Sequence, residues 1–282
     1  MNPAVKYYGG KYFMRDIIKG YFPESYTTYV EGFGGSASVL LSIPITGTVV
    51  EVYNDLGQDI YSLYKVVSDT DTFKRLKQRM DLTPYSYQLW KEYSESLKTN
   101  PNLDIEERAY MYLYVNRTSF NGVGSFSVQS HLIRRGMSKS TSDYLAAIER
   151  LPEIHDRLSG VIIENRDINK IIEKYDSETT FFYLDPPYVK ETRRSGQAYA
   201  VEMSNDDHTQ MLNRILQSKG MFLISGYDHP LYDVLTDNGY RKETFQSPNS
   251  GSSATETLWF NYNPVGKKTQ ETEKPSLGKF FG

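Results

Sequence analysis

Apolar positions come in short bursts separated by longer stripes of helical spacing. Six runs have the composition of β-strands: residues 27–30, 48–53, 161–163, 180–184, 221–224 and 256–262. They are rich in β-branched and aromatic residues and are bounded by turn formers. Between several of them the period changes. Leu56, Ile60, Leu63, Tyr64 and Val67 recur at intervals of three and four, which predicts one helix face over 56–67. A capping-type Asn205 opens a second stripe of Met211, Leu212 and Ile215, predicting a helix over 205–216. Strand then helix, repeated, predicts an α/β sheet with helices on both faces. Residues 70–158 break this rhythm with helical patterns at 73–80 and 106–115 and a Gly/Ser-rich loop at 121–130. They read as a mostly helical domain inserted into the sheet. Residues 1–69 and 159–265 then form one discontinuous sheet domain, and 266–282 a polar tail. No repeat recurs at a period of roughly 20 to 50 residues, which argues against solenoids and propellers.

Composition narrows the chemistry. The chain has no cysteine, which excludes disulfides, thiolate zinc sites and a thiol nucleophile. The histidines, His131, His155, His208 and His229, are scattered without the spacing of a helical metal site. His155, His208, Trp90 and Trp259 read as packing residues, and no metal is expected. The 24 tyrosines suit half-buried strands or stacking on a flat ligand. The longest apolar runs, such as 181–184, are too short to cross a bilayer, and the first six residues lack an apolar signal core. The expectation is a soluble, cytoplasmic protein.

The most specific element is the apolar run Phe181-Phe182-Tyr183-Leu184 entering Asp185-Pro186-Pro187-Tyr188. It places the tetrapeptide at a strand's carboxyl end, where open α/β sheets bind ligands. Two prolines make a stiff turn with outward carbonyls. A carboxylate, a carbonyl acceptor and an aromatic ring suit a flat heterocycle bearing an exocyclic amine. The plainer alternative is a loop in which Asp185 caps and Tyr188 packs. A Gly-rich turn follows the first strand, where a ligand can approach the backbone. Asp55 ends the second strand, well placed for ribose hydroxyls. Gly9-Gly10-Lys11 fails as a phosphate loop because Tyr12 follows the lysine.

The net charge of −3 hides a local signal. Between Arg117 and Ser142 stand Arg117, Arg134, Arg135 and Lys139, with no Asp or Glu. Such a stretch fits phosphate and base-edge contacts, and equally a solvated basic loop. Asn121 could read a base edge or serve an ordinary Asn-Gly turn. Arg193 and Arg194 follow the tetrapeptide, placed to hold a phosphate or close over a base.

In this order the motifs resemble the DNA adenine-N6 methyltransferases, the Dam-like family. Asp185-Pro186-Pro187-Tyr188 is similar to its catalytic motif, and Lys6-Tyr7-Tyr8-Gly9-Gly10-Lys11 to its N-terminal cofactor motif. Residues 29–38 resemble its Glu-Pro-Phe-x-Gly-x-Gly loop, with Gly32 in place of Pro and Ala37 in place of the second Gly. Residues 116–122 resemble its recognition segment and 255–262 its closing strand. The resemblance implies a Rossmann-like methyltransferase sheet interrupted by a DNA-recognition domain. It implies methyl transfer from S-adenosylmethionine to N6 of a flipped adenine in duplex DNA. Asp185 and the Pro186 carbonyl would accept the amine hydrogens, and Tyr188 would stack on the base. Tyr7, Lys11, Phe33, Gly35, Ser36, Ala37, Asp55, Asp167 and Asp185 would hold the cofactor. Arg117, Asn121, Arg134, Arg135, Arg193 and Arg194 would meet DNA. The runners-up are cytosine N4 or RNA adenine as the acceptor, or a catalytically silent DNA-binding relative. A monomer in a bacterial or phage-infected cell is the default expectation. The target site and the biological role are not legible.

Overall fold

Alternation along each strand builds a sheet with two different apolar faces. The computed structural model describes residues 1–7, 11–129, 131–192, 201–246 and 255–265. The strands are β1 (Thr28–Glu31), β2 (Val50–Asn54), β3 (Ile133–Arg134), β4 (Met137–Ser138), β5 (Ile162–Glu164), β6 (Thr180–Leu184), β7 (Met221–Gly226), β8 (Arg241–Gln246) and β9 (Thr255–Phe260). The helices are α1 (Arg15–Lys19), α2 (Gln58–Ser68), α3 (Thr70–Asp81), α4 (Tyr87–Thr99), α5 (Ile105–Thr118), α6 (Lys139–Glu149), α7 (Leu151–Leu158), α8 (Ile168–Tyr175), α9 (Asn205–Leu216) and α10 (Asp233–Asp237).

The seven-stranded sheet runs β5-β2-β1-β6-β7-β9-β8. Its first five strands are parallel, while β9 runs antiparallel to both β7 and β8. The chain leaves β1 for β2 on one side and later returns to β6 on the other. The carboxyl ends of β1 and β6 therefore flank a topological switch point, where such sheets open a crevice. Val30 pairs with both Val52 and Phe182, and Phe182 with Phe222, so their side chains share one face. That face packs on Ile168, Ile171 and Ile172 of α8 and Met211, Leu212 and Ile215 of α9. The opposite face carries Tyr29, Tyr53, Phe181, Tyr183 and Leu258, in one cluster with α2. Phe73 of α3, Tyr110 and Leu113 of α5, Tyr144 of α6 and Leu151 of α7 join the same cluster. The helices of 70–158 are thus packed continuously onto the sheet through α2.

The predicted strands all occur within a few residues of their expected ends, and the Rossmann-like α/β class holds. Three local differences have physical reasons. The cap of α9 is Ser204, one residue before the expected Asn205, in a reciprocal capping box with Asp207. Strand β8 escaped notice because Arg241, Lys242 and Glu243 give it a charged, half-exposed edge. The short β3–β4 hairpin is too brief and exposed to show a period. Among the described residues no helix is long and apolar enough to cross a membrane. The sequence-level tail at 266–282 lies outside the described residues.

Candidate active site

Buried tyrosines shape the loop after β1. The Tyr53 hydroxyl donates to the Gly35 carbonyl and the Tyr64 hydroxyl to the Ser36 carbonyl, each at 2.7 Å. Gly32 N–H donates to the Tyr183 carbonyl at 3.0 Å and Gly34 N–H to that of Asn54 at 2.8 Å. A Cβ at position 34 would lie 2.1 Å from the Tyr53 ring, so only glycine lets the loop lie this close to β2. Gly32 answers to packing: a Cβ there would lie 2.5 Å from Leu184 Cδ2, and proline would forfeit the bond to Tyr183. Ala37 holds φ +55° and is fully buried behind the loop, a conformation that glycine would adopt with less strain.

Tyr7, Lys11, Phe33, Gly35, Ser36, Asp55, Asp167 and Asp185 line one cleft above this loop. Ala37 does not, since its methyl points into the core rather than the opening. Tyr7 covers Gly35, where an added Cβ would come 2.9 Å from its ring. Asp55 accepts N–H bonds from Gly35 and Gly57, both at 2.8 Å, with one oxygen each. Burial raises its carboxyl, and those two bonds oppose the rise. Each oxygen keeps a second lone pair for a ligand hydroxyl. Asp167 caps α8 by accepting from Asn169 N–H at 2.9 Å.

The tetrapeptide leaves β6 into a buried polar network. Asp185 Oδ1 accepts from Ser225 Oγ at 2.7 Å and pairs with Lys11 Nζ at 3.0 Å. Lys11 also donates to the Tyr188 hydroxyl and lies 3.8 Å from Glu256 Oε2. Tyr188 in turn donates to Glu256 Oε2 at 2.7 Å, and its ring meets Tyr227 edge-on at 4.5 Å. Burial works against the Lys11 charge, but the carboxylates of Asp185 and Glu256 outweigh it and hold its ammonium raised. Burial raises the Glu256 carboxyl, with Lys11 and Tyr188 pulling it back. Tyr188 is buried and lies behind the cleft wall, which Pro187 lines instead of Pro186.

Glu31 was not singled out from sequence, yet it lines the cleft floor. Its Oε2 accepts from Leu40 N–H at 2.7 Å and Tyr29 Oη at 2.8 Å. Burial pushes its carboxyl up from 4.5 to about 8 despite those bonds. A raised acid binds more protons folded than unfolded. Its contribution is therefore fully present below pH 4.5 and lost as pH rises to about 8. Glu31→Gln is expected to flatten the stability slope in that window, a difference of roughly 3 to 5 kcal/mol from end to end. Urea unfolding across the range checks this; an unchanged slope contradicts it.

A family profile, the D12 class N6 adenine-specific DNA methyltransferases, matches residues 7–251 of this chain. The chain belongs to that family. Its reaction is adenine-specific methylation of DNA. The chain is 23% identical over 254 residues to the type II methyltransferase M.CviBI of Paramecium bursaria Chlorella virus NC1A, covering 86% of this chain and 91% of that one. It is 25% identical over 206 residues to the DNA adenine methylase of Haemophilus influenzae, 70% and 68% of the two chains. To the Escherichia coli DNA adenine methylase it is 28% identical over 131 residues, 44% of each.

In this methyltransferase the residues expected at DNA sit in varied settings. Arg117 Nε donates to the Ala4 carbonyl at 2.5 Å and Nη2 to that of Pro3 at 2.6 Å. Asn116 clasps the backbone of Lys6, accepting from its N–H at 2.9 Å and donating to its carbonyl at 2.8 Å. The motif at 116–122 thus fastens the N-terminal segment to α5. Asn121 is exposed at φ +52° on the loop that follows. Exposed Arg134 pairs with Asp143 at 3.2 Å and Arg135 with Glu149 at 2.8 Å. These acids lie past the end of the 117–142 stretch and neutralise only part of it: Lys139 shares Asp143 with Arg134, and Arg117 donates to backbone carbonyls. Arg193 and Arg194 lie outside the described residues. Among the described residues no group of three or more His, Asp or Glu is placed to hold a metal ion.

Proposed function

We propose that the chain transfers the methyl group of S-adenosylmethionine to N6 of an adenine flipped out of duplex DNA. The observation that carries this reading is the meeting of Asp185 with the glycine loop across one cleft at the switch point. The cleft chemistry favours that donor. Carboxylates at 55, 167 and 185 suit a ligand with ammonium and sulfonium charges, and Tyr7 and Phe33 offer aromatic walls. In this reading Tyr7, Lys11, Phe33, Gly35, Ser36, Asp55, Asp167 and Asp185 hold the cofactor. When bound, it supplies an electrophilic methyl.

The chain's own residues then prepare the base. Adenine N6 is a weak nucleophile because its lone pair is delocalised into the ring. Asp185 and the Pro186 carbonyl accept its two hydrogens. Asp185 takes the proton that N6 must lose as its new C–N bond forms and the methyl's C–S bond breaks, the electron pair of that bond leaving with sulfur as a neutral thioether. Positioning in line with the methyl supplies much of the rate. Tyr188 stacks on the base from its place behind the Asp-Pro-Pro turn and holds it in line with the methyl. Residues 70–158 serve as the target-recognition region. There Arg134 and Arg135 exchange Asp143 and Glu149 for phosphates, and Asn121 lies at an exposed loop tip. Arg193 and Arg194 complete the DNA-facing set.

The test is transfer of labelled methyl from S-adenosylmethionine to mixed-sequence duplex DNA, with RNA as control, followed by digestion to nucleosides. Label in N6-methyladenine is the expected result. Label in N4-methylcytosine or in RNA overturns the acceptor, and cofactor binding without transfer to any DNA overturns the activity.

A further inference from the structure

Glu256 is a buried carboxylate in a strand, Thr255–Phe260, that carries no other charge. Strand β9 alternates, so Glu256 shares a sheet face with Leu258 and Phe260, while Trp259 faces the other way. Because β9 runs antiparallel to β7, with Thr257 opposite Gly226, its first residues lie beside the carboxyl end of β7. A residue at the start of a strand thereby reaches the crevice built from strand ends. Burying a carboxylate there costs several kcal/mol unless it is paired.

Its pairing is specific. Oε2 accepts the Tyr188 hydroxyl at 2.7 Å and lies 3.8 Å from Lys11 Nζ. Lys11 already has a closer carboxylate in Asp185 at 3.0 Å, so neutralising Lys11 does not by itself require Glu256. Position adds a second argument. Lys11 and Asp185 line the cofactor cleft, whereas Tyr188 and Glu256 lie behind that pair. Glu256 therefore touches the half of the network assigned to the base.

We propose that Glu256 is a positioning residue for methyl transfer: it fixes the Tyr188 hydroxyl and shares Lys11 with Asp185. This rests on the roles given to Asp185 and Tyr188 above. Two consequences follow from the geometry. The Tyr188 ring is held at a defined angle behind the Asp-Pro-Pro turn. And Lys11, drawn between two carboxylates, neutralises Asp185 less completely, leaving it a better acceptor for the adenine N6 hydrogens.

The experiment compares wild type with Glu256→Gln, Tyr188→Phe and the double variant. Each is assayed for single-turnover methylation of unmethylated DNA, for S-adenosylmethionine binding by calorimetry, and for melting temperature. Glutamine keeps the shape and an acceptor for the Tyr188 hydroxyl but removes the charge. Its transfer rate is expected to fall roughly 10- to 100-fold, with cofactor affinity held within about threefold. Because the Glu256 charge strengthens the bond that Tyr188 donates, its loss should matter less once Tyr188→Phe has removed that donor, so the two effects should be less than additive. A Glu256→Gln rate within about twofold of wild type overturns the proposal, as does full additivity with Tyr188→Phe. Parallel loss of rate, cofactor affinity and melting temperature overturns it too, by showing a merely structural role. A wild-type protein that puts no label into N6-methyladenine fails earlier: it removes the roles of Asp185 and Tyr188, and the assignment of Glu256 with them.

Discussion

Asp185→Asn is expected to lower methyl transfer by about a thousandfold while leaving the fold and most cofactor affinity in place. Asparagine keeps the volume, and its amide oxygen can still accept from Ser225 and Lys11, as Asp185 Oδ1 does at 2.7 and 3.0 Å. What changes is the group turned toward the base. An amide presents N–H where a carboxylate presents a lone pair, so two donors face each other at adenine N6. The proton that must leave N6 also loses its acceptor. Single-turnover methylation and calorimetric binding of S-adenosylmethionine, run on the same preparation, separate these effects. Equal loss of both would remove Asp185 from the role assigned to it.

Lys11→Met carries the largest expected effect on stability, a loss of roughly 3 to 5 kcal/mol near neutral pH. Methionine fills the same volume but leaves Asp185 and Glu256 buried without their cation. Lys11 is only 7% exposed, so water offers little compensation. The pH dependence has a definite sign. Lys11 is the largest influence lowering the Glu256 carboxyl against its burial, so its removal lets that group rise further. An acid raised in the folded state weakens the fold as pH increases. The deficit relative to wild type should therefore be larger at pH 8 than at pH 5, read from urea midpoints. A deficit that is the same at both, or reversed, would place the compensation elsewhere.

The parts of the site legible in sequence were those carried by contiguous residues. An apolar run entering Asp-Pro-Pro-Tyr marks a strand end, and glycines after β1 mark a close backbone approach. Ser225 and Glu256 were not read as site residues because they reach Asp185, Tyr188 and Lys11 only through strand pairing. Glu31 was not, although it lies inside the loop motif, because the motif alone does not show that this charge is buried at the cleft. A faint signal existed: Glu31 ends and Glu256 begins a run of buried strand residues, where a charge is costly. The tyrosine count was ambiguous between stacking and packing. Tyr29, Tyr53, Tyr64 and Tyr183 are packed, with hydroxyls spent on loop carbonyls or polar side chains. Charge counting along the chain missed two partners of residues 117–142 for a related reason. A window ending at Ser142 omits Asp143 and Glu149, which lie on α6 and fold back onto Arg134 and Arg135.

The fastening of residues 3–6 to α5 has a thermodynamic consequence. Asn116 and Arg117 grip Pro3, Ala4 and Lys6, and the next residue, Tyr7, is the one that covers Gly35 at the cleft. In the proposed reading a single short segment is therefore shared between α5, assigned to target recognition, and Tyr7, assigned to the cofactor's aromatic wall. On that reading, a displacement of α5 on meeting DNA has a direct route to that wall through residues 3–7. The proposed reading therefore makes the two ligands linked, and linkage is reciprocal: whatever factor DNA applies to cofactor affinity, the cofactor applies to DNA affinity.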